Sequence, residues 1–315
     1  MKKIELHVHL DGSIRPKTIS ELLNINLAKA IKLSTLENKS DSLKEYLNKF
    51  DIPLKVLQTK ENLERVAEEL AQDLHEDGVI YAEIRFAPNK HLEQGLTLEE
   101  VLDSVLKGLA KVDIKTNLIL CMMRGDSFEK NLSIIKLAKN YLNKGVIAID
   151  LAGNEAAYPV MEYKELFKIA KDEGIPFTIH AGEADNAESV MNAITLGATR
   201  IGHGIRAIES DEALNLIKEK NITLEVCPKS NLDTNMYNNL EEHPVKQLYD
   251  MGINITINTD NRTVSNITLT KTYKDLANTF QFTTKDFIKM NETAIKSAFL
   301  TNFEKEKLLN ELHQQ

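Results

Sequence analysis

The chain has 315 residues, 42% of them hydrophobic, with 47 acidic against 39 basic side chains and a formal charge of −8. That length suits two ordinary domains or one large α/β barrel, with apolar residues enough for a sizeable core. An acidic chain without a long basic run is a poor partner for nucleic acid or an anionic membrane surface, so a small molecule is the expected partner.

The chain opens with MKKIELHVHL, where Glu5, His7 and His9 interrupt the apolar run that a secretory leader needs. KIELHVHL reads instead as a first strand. Residues 14–75 follow with mostly helical patterns, expected as an insertion after that strand and a candidate lid. A second strand is expected in VIYAEIRFAP from Val79, then a helix in TLEEVLDSVLKGLAKV from Thr97, with apolar residues three and four apart. NLILCMMR from Asn117 and VIAIDLAG from Val146 supply two more strands, and YKELFKIAKDEG from Tyr163 another helix. Gly145 and Gly174 stand where helices should stop. PFTIHAGE from Pro176, TRIGHG from Thr199, ITLEVCP from Ile222 and NITINTD from Asn254 complete the strands.

Strand–helix alternation implies a parallel sheet with crossover helices. Eight such strands predict a closed (β/α)8 TIM barrel, a single catalytic domain over 1–315 with the insertion at about 14–75. A glycine-rich phosphate loop after the first strand would favour an open sheet, and HVHLDGS is not one. Cys121 and Cys227 belong to no CxxC pair, which predicts two thiols in a reducing compartment. No run is apolar enough to span a bilayer, so a cytoplasmic location is expected.

On a strand, residues i and i+2 face the same way. Glu5, His7 and His9 therefore project together, with Ile4, Leu6 and Val8 opposite. The same parity sets Phe177 and Ile179 against His180, and Ile255 and Ile257 against Asn258 and Asp260. His7 and His9, His180, His203 and Asp260 all fall at C-terminal strand ends, which in a parallel barrel share the rim that carries catalysis. A lone strand-end histidine is most simply a hydrogen-bonded structural residue. Three strand ends with histidine and a fourth with aspartate point to a metal site. Imidazoles plus one carboxylate and no thiolate suit zinc, with iron, nickel or cobalt as chemical alternatives. His7, His9, His180 and Asp260 would be the ligands, with a position kept for water. Metal-assisted hydrolysis is the expected reaction class. Glu183, three residues after His180, reads either as a group that exchanges a proton with substrate or as an ordinary carboxylate at a helix start. His203 reads as a group that orients the nucleophile or as a fourth imidazole ligand. Gly153 reads as a site of close ligand approach or as a plain turn.

HVHLDGSIRP, DLAGNE, TIHAGEA, IGHG, CPKSN and INTDN, in this order from residue 7 to residue 261, together resemble the adenosine deaminase family. The resemblance implies an amidohydrolase-type barrel with one catalytic zinc, held by His7, His9, His180 and Asp260. It implies attack of zinc hydroxide on C6 of a purine nucleoside and loss of ammonia. Glu183 would deliver a proton to ring N1 and His203 would orient the hydroxide. Asp11 would bind the ribose, Gly153 would donate its backbone N–H to N3, and His9 would lie against the nucleoside. The family's last-strand pattern is TDD; here it is TDN. An aspartate must be protonated to donate to N7, whereas the Asn261 amide donates as it stands. HLDGS favours adenosine or 2′-deoxyadenosine; a deaminase of adenine or of an N6-modified adenine nucleoside, which tends to carry Glu at the Asp11 position, is the alternative. Strand four ends without the lysine that a two-metal relative would need. Polynucleotide deaminases use an HxE…PCxxC pattern that is absent here.

Overall fold

The computed structural model describes residues 1–40 and 46–314. All eight expected strands form: β1 Lys3–His9, β2 Val79–Phe86, β3 Lys115–Met123, β4 Val146–Ala152, β5 Thr178–Ala181, β6 Arg200–His203, β7 Thr223–Val226 and β8 Asn254–Ile257. They pair in parallel in two consecutive runs, β1 to β4 and β5 to β8. Two isolated parallel bridges, Ile149 to Phe177 and Val8 to Asp260, join the runs to each other at both seams. The result is a closed (β/α)8 barrel.

Between β1 and β2 lie α1 Pro16–Leu23, α2 Leu27–Ser34, α3 Asp51–Val56 and α4 Lys60–Glu76; residues 41–45 of the expected insertion lie outside the described residues. The next helix, α5 Leu98–Leu109, begins in a capping box. The Thr97 side chain accepts from the Glu100 N–H while the Glu100 carboxylate accepts from the Thr97 N–H. α4 packs tightly on α5, because a Cβ on Gly108 would lie 2.1 Å from the Glu64 carbonyl oxygen. α6 Phe128–Tyr141, α7 Lys164–Asp172, α8 Ala187–Leu196, α9 Asp211–Glu219, α10 Pro228–Asp233 and α11 Val245–Asp250 follow in turn. α12 Leu269–Phe280, α13 Thr284–Ser297 and α14 Asn302–His313 end the chain.

Strand parity decides what goes where. Ile4 and Leu6 pack against Ile295 and Leu308 of α13 and α14, whereas Glu5 and His7 turn into the barrel. The barrel floor is ionic. Arg200 pairs with Glu225 at 2.7 Å and with Glu83 at 2.5 Å, all fully buried, and its guanidinium lies 4.1 Å from the centre of the Phe299 ring. Isolated buried charges would be prohibitively costly, and pairing is what makes them tolerable.

Candidate active site

The C-terminal ends of β1, β5 and β8 bring four predicted residues together. His7 and His9 project from alternate positions of β1, and His180 from β5. Asp260 follows β8 with φ +60, a left-handed conformation rare for a side-chain-bearing residue. Two backbone bonds hold it there. Its N–H donates to the His7 carbonyl at 2.9 Å, and its own carbonyl accepts from the His9 N–H at 2.7 Å. Asp260 Oδ1 then lies 3.3 Å from His7 Nε2 and 3.4 Å from His9 Nε2, while Ser230 Oγ holds Oδ2 at 2.5 Å. His9 Nε2 and His180 Nε2 are 3.4 Å apart. One ligand atom from each of the four residues lies within 4.8 Å of the others. His7 Nε2 is buried with no hydrogen-bond partner, a cost that a cation at the centre of the group would remove. Three imidazoles and one carboxylate are a donor set that suits zinc.

The far sides of two of these rings are held. His7 Nδ1 lies 2.9 Å from Glu225 Oε2, and His180 Nδ1 lies 2.8 Å from Asp150 Oδ2. An Nδ1–H facing a carboxylate leaves Nε2 as the free donor pair for a metal. One guanidinium joins the two carboxylates: Arg85 donates to Asp150 Oδ2 at 2.9 Å and to Glu225 Oε2 at 2.8 Å. Burial pushes both carboxyl groups up. Around Asp150 the charges of His180 and Arg85 outweigh burial, and around Glu225 those of Arg85 and Arg200 do, so both stay ionised below the usual range.

Glu183 lies in the loop between β5 and α8, and its side chain is buried in the cavity above the four ligands. The helix-start alternative fails, because α8 begins at Ala187 and its cap is Asn186, whose side chain accepts from the Glu188 N–H. The loop is gathered around Glu155. That carboxylate accepts from the N–H groups of Gly182 at 2.6 Å, Glu183 at 3.0 Å, Ala184 at 2.9 Å and Asp185 at 3.2 Å, and from Ser189 Oγ at 2.6 Å. Burial, then the charges of Asp260 and Glu155, hold the Glu183 carboxyl well above the usual carboxylate range. His203, with φ +61 at the end of β6, lies outside the four-ligand group, and its Nε2 is 3.6 Å from Glu183 Oε2.

The remaining predicted residues line the same cavity. Asp11 is buried, and burial together with the nearby Asp260 charge pushes its carboxyl up to about 7. Gly153 follows β4 with φ +104, a conformation that a side chain would strain. The Asn261 amide Nδ2 donates to Tyr46 Oη at 2.9 Å. Leu47, Phe50 and Leu54, all from the segment between β1 and β2, close the cavity with apolar surface.

The family model of adenosine deaminase matches residues 2–315 of this chain. The chain belongs to the adenosine deaminase family. A relative from Clostridium perfringens named adenosine deaminase is 45% identical over 321 residues, spanning 98% of this chain and 97% of that protein. One of the same name from Enterococcus faecalis is 43% identical over 322 residues, spanning 99% and 95%. Among solved structures, the Arabidopsis N6-mAMP deaminase superposes with a TM-score of 0.90 at 26% identity, covering 99% of this chain and 97% of that one.

For this adenosine deaminase family member, sequence reasoning missed Arg85, Asp150, Glu155 and Glu225 as parts of the site. Three of them carried a signal. Arg85 alternates with Ile84 and Phe86 on β2, Asp150 sits between Ile149 and Leu151 on β4, and Glu225 between Leu224 and Val226 on β7, so each charge had to face the barrel interior. Glu155 stood inside the quoted DLAGNE stretch, but nothing local indicates that it reaches across to the loop after β5.

Proposed function

We propose that this chain hydrolyses the exocyclic C–N bond at C6 of adenosine and 2′-deoxyadenosine, releasing ammonia, with one zinc ion held by His7, His9, His180 and Asp260. Zinc bound there would lower the pKa of a water from about 15.7 towards roughly 7 and so supply a nucleophile near neutral pH. The observation that carries the reading is Glu183, a carboxyl buried in the same cavity as the metal-type donors, which burial and neighbouring negative charge hold well above the usual carboxylate range. A protonated Glu183 gives its proton to ring N1, which makes C6 electrophilic as the nucleophile adds. His203 hydrogen-bonds the attacking oxygen. Asp11 accepts from the sugar hydroxyls, the Gly153 N–H meets N3, and an Asn261 amide hydrogen meets N7. His9 lies against the nucleoside. The whole chain acts as one barrel, with the helices between β1 and β2 roofing the cavity, a reading supported by the apolar contribution of Leu47, Phe50 and Leu54. No helix among the described residues is long and apolar enough to cross a membrane, and the unpaired, buried Cys121 and Cys227 support a cytoplasmic location.

The test is an ultraviolet assay of metal-quantified protein against adenosine, 2′-deoxyadenosine and adenine in parallel. Ammonia and inosine from adenosine are expected. Turnover of adenine in its place would move the substrate to the free base and remove the sugar-binding role of Asp11.

A further inference from the structure

We infer that His243, acting through Asn231, is a positioning residue that fixes His203 as the tautomer with its proton on Nε2, so that His203 presents an N–H donor to the reaction cavity and not a base. The inference rests on the proposed role of His203 beside the attacking oxygen.

The chain of logic starts from a group whose role cannot reverse. The Val245 N–H, first in α11, can only donate, and it lies 3.2 Å from His243 Nδ1. His243 Nδ1 must therefore accept. Burial pushes this imidazole down to about 3, so it is neutral, and a neutral ring has one proton. With Nδ1 accepting, that proton sits on Nε2. His243 Nε2 is 3.2 Å from Asn231 Oδ1, which accepts it. The other end of the carboxamide is then committed. Asn231 Nδ2, an NH2 group with no lone pair to offer, faces His203 Nδ1 at 3.1 Å. His203 Nδ1 must accept in turn, which leaves the His203 proton on Nε2, the nitrogen 3.6 Å from Glu183 Oε2.

The opposite arrangement fails at its first link. Rotating the Asn231 amide would set an N–H against His243 Nε2, drive the His243 proton to Nδ1 and place it against the Val245 N–H. Two donors would then meet in a site where His243, Asn231 and His203 are all buried. Asn231 is itself fixed on α10, its backbone N–H donating to the Cys227 carbonyl at 3.0 Å. Nothing in the sequence spacing links residues 203, 231 and 243. The link is made by the ends of β6, α10 and the start of α11 meeting beside the cavity. A donor held ready at His203 stabilises negative charge as it develops on the adding oxygen, without reorganisation at that moment.

The experiment is long-range 1H–15N NMR of the zinc-loaded full chain labelled with 15N-histidine, without substrate, on wild type, Asn231→Asp, His243→Ala and His243→Gln. Wild type is expected to show Nε2-protonated rings at both 203 and 243. Asn231→Asp sets an acceptor against His203 Nδ1 and should move that proton to Nδ1, with kcat falling on the order of 10²-fold and KM little changed. His243→Ala should also lower kcat, and His243→Gln, whose amide N–H can still reach Asn231 Oδ1, should recover most of it. An Nδ1-protonated His203 in wild type overturns the inference, and so does an Asn231→Asp spectrum in which the tautomer is unchanged. The wild-type spectrum decides the matter even if a variant fails to fold. Because the tautomer is read without substrate, an expected spectrum in a protein that does not turn over adenosine would sink the proposed function and leave this hydrogen-bond chain standing.

Discussion

A methyl group on Gly12 would lie 1.8 Å from Oδ1 of Asn261. The loop after β1 and the loop after β8 are thus pressed together with no room for a side chain. Gly12→Ala is expected to push the Asn261 amide from its place. With base recognition through Asn261, KM for adenosine should rise roughly tenfold or more, the worth of one good hydrogen bond to a buried partner. Steady-state kinetics with adenosine test this, and unchanged KM would show that Asn261 does not meet the ring.

Glu183→Gln keeps the shape of the side chain and removes the acidic proton. Zinc content should be unchanged and kcat should fall on the order of 10²–10⁴-fold. With Glu183 as the proposed proton donor the working form is the protonated one, and its pKa is raised, so activity should fall as pH rises through that raised value. Near-wild-type turnover of a metal-replete Glu183→Gln preparation would refute the proton-donor role.

Glu155→Ala leaves the N–H groups of Gly182, Glu183 and Ala184 without their shared acceptor. Each buried donor left unpaired costs about 1–3 kcal/mol, so a marked fall in Tm is expected, together with loss of kcat as Glu183 loses its mooring. Calorimetry and kinetics on one preparation check both. A variant that loses stability but keeps kcat would show that the loop does not depend on Glu155 for its active shape.

Arg85→Met leaves Asp150 and Glu225 facing each other and the floor of the barrel without the cation between them. Losing one partner from a buried ionic group costs roughly 3–5 kcal/mol. Because these carboxylates hold His7 and His180, zinc affinity measured by chelator competition should weaken about 10–100-fold. Arg85→Lys should restore little, since a single ammonium does not reproduce the two-pronged geometry. Undiminished zinc affinity in Arg85→Met would remove Arg85 from the metal-site framework.

His91 is fully buried, its Nδ1 donates to the Leu57 carbonyl at 2.9 Å, and burial pushes its pKa down to about 4. The unfolded chain takes up this proton near the ordinary value of about 6.5. Between those values the unfolded state binds more protons than the folded one, so stability is lost as pH falls through the window, by roughly 3 kcal/mol in all. Urea unfolding of wild type and His91→Gln at about pH 7.5 and about pH 5 isolates this contribution from the other titrating groups. Wild type should lose more stability than His91→Gln on acidification, and equal losses would refute the buried neutral histidine.

Much of the barrel was legible because strand parity is a local signal. The alternation around His7 and His9, His180 and Asp260 predicted which face each would take, and all four meet at one rim. What stayed hidden depends on pairings between distant elements. Nothing near Glu155 reveals four N–H groups waiting after β5, and nothing near His243 reveals Asn231. Arg85 could be assigned to the interior by its alternation, but the two carboxylates it joins lie on β4 and β7, and neither strand announces the other. The roof was expected as a helical insertion and a candidate lid, without the residues that would line the cavity. Its contribution of Leu47, Phe50 and Leu54 to the cavity wall depends on how that stretch folds back over the rim.

The bridge between Val8 and Asp260 has a consequence for biosynthesis. Two of the metal-type donors come from residues 7 and 9 and the carboxylate from residue 260, so the complete donor set cannot exist until β8 and the residues just after it have been made. Contacts of such sequence separation form late and slowly. Tight metal uptake thus becomes a record of barrel closure, and a chain cut before β8 should retain histidines that bind metal loosely and without the geometry that the finished barrel imposes.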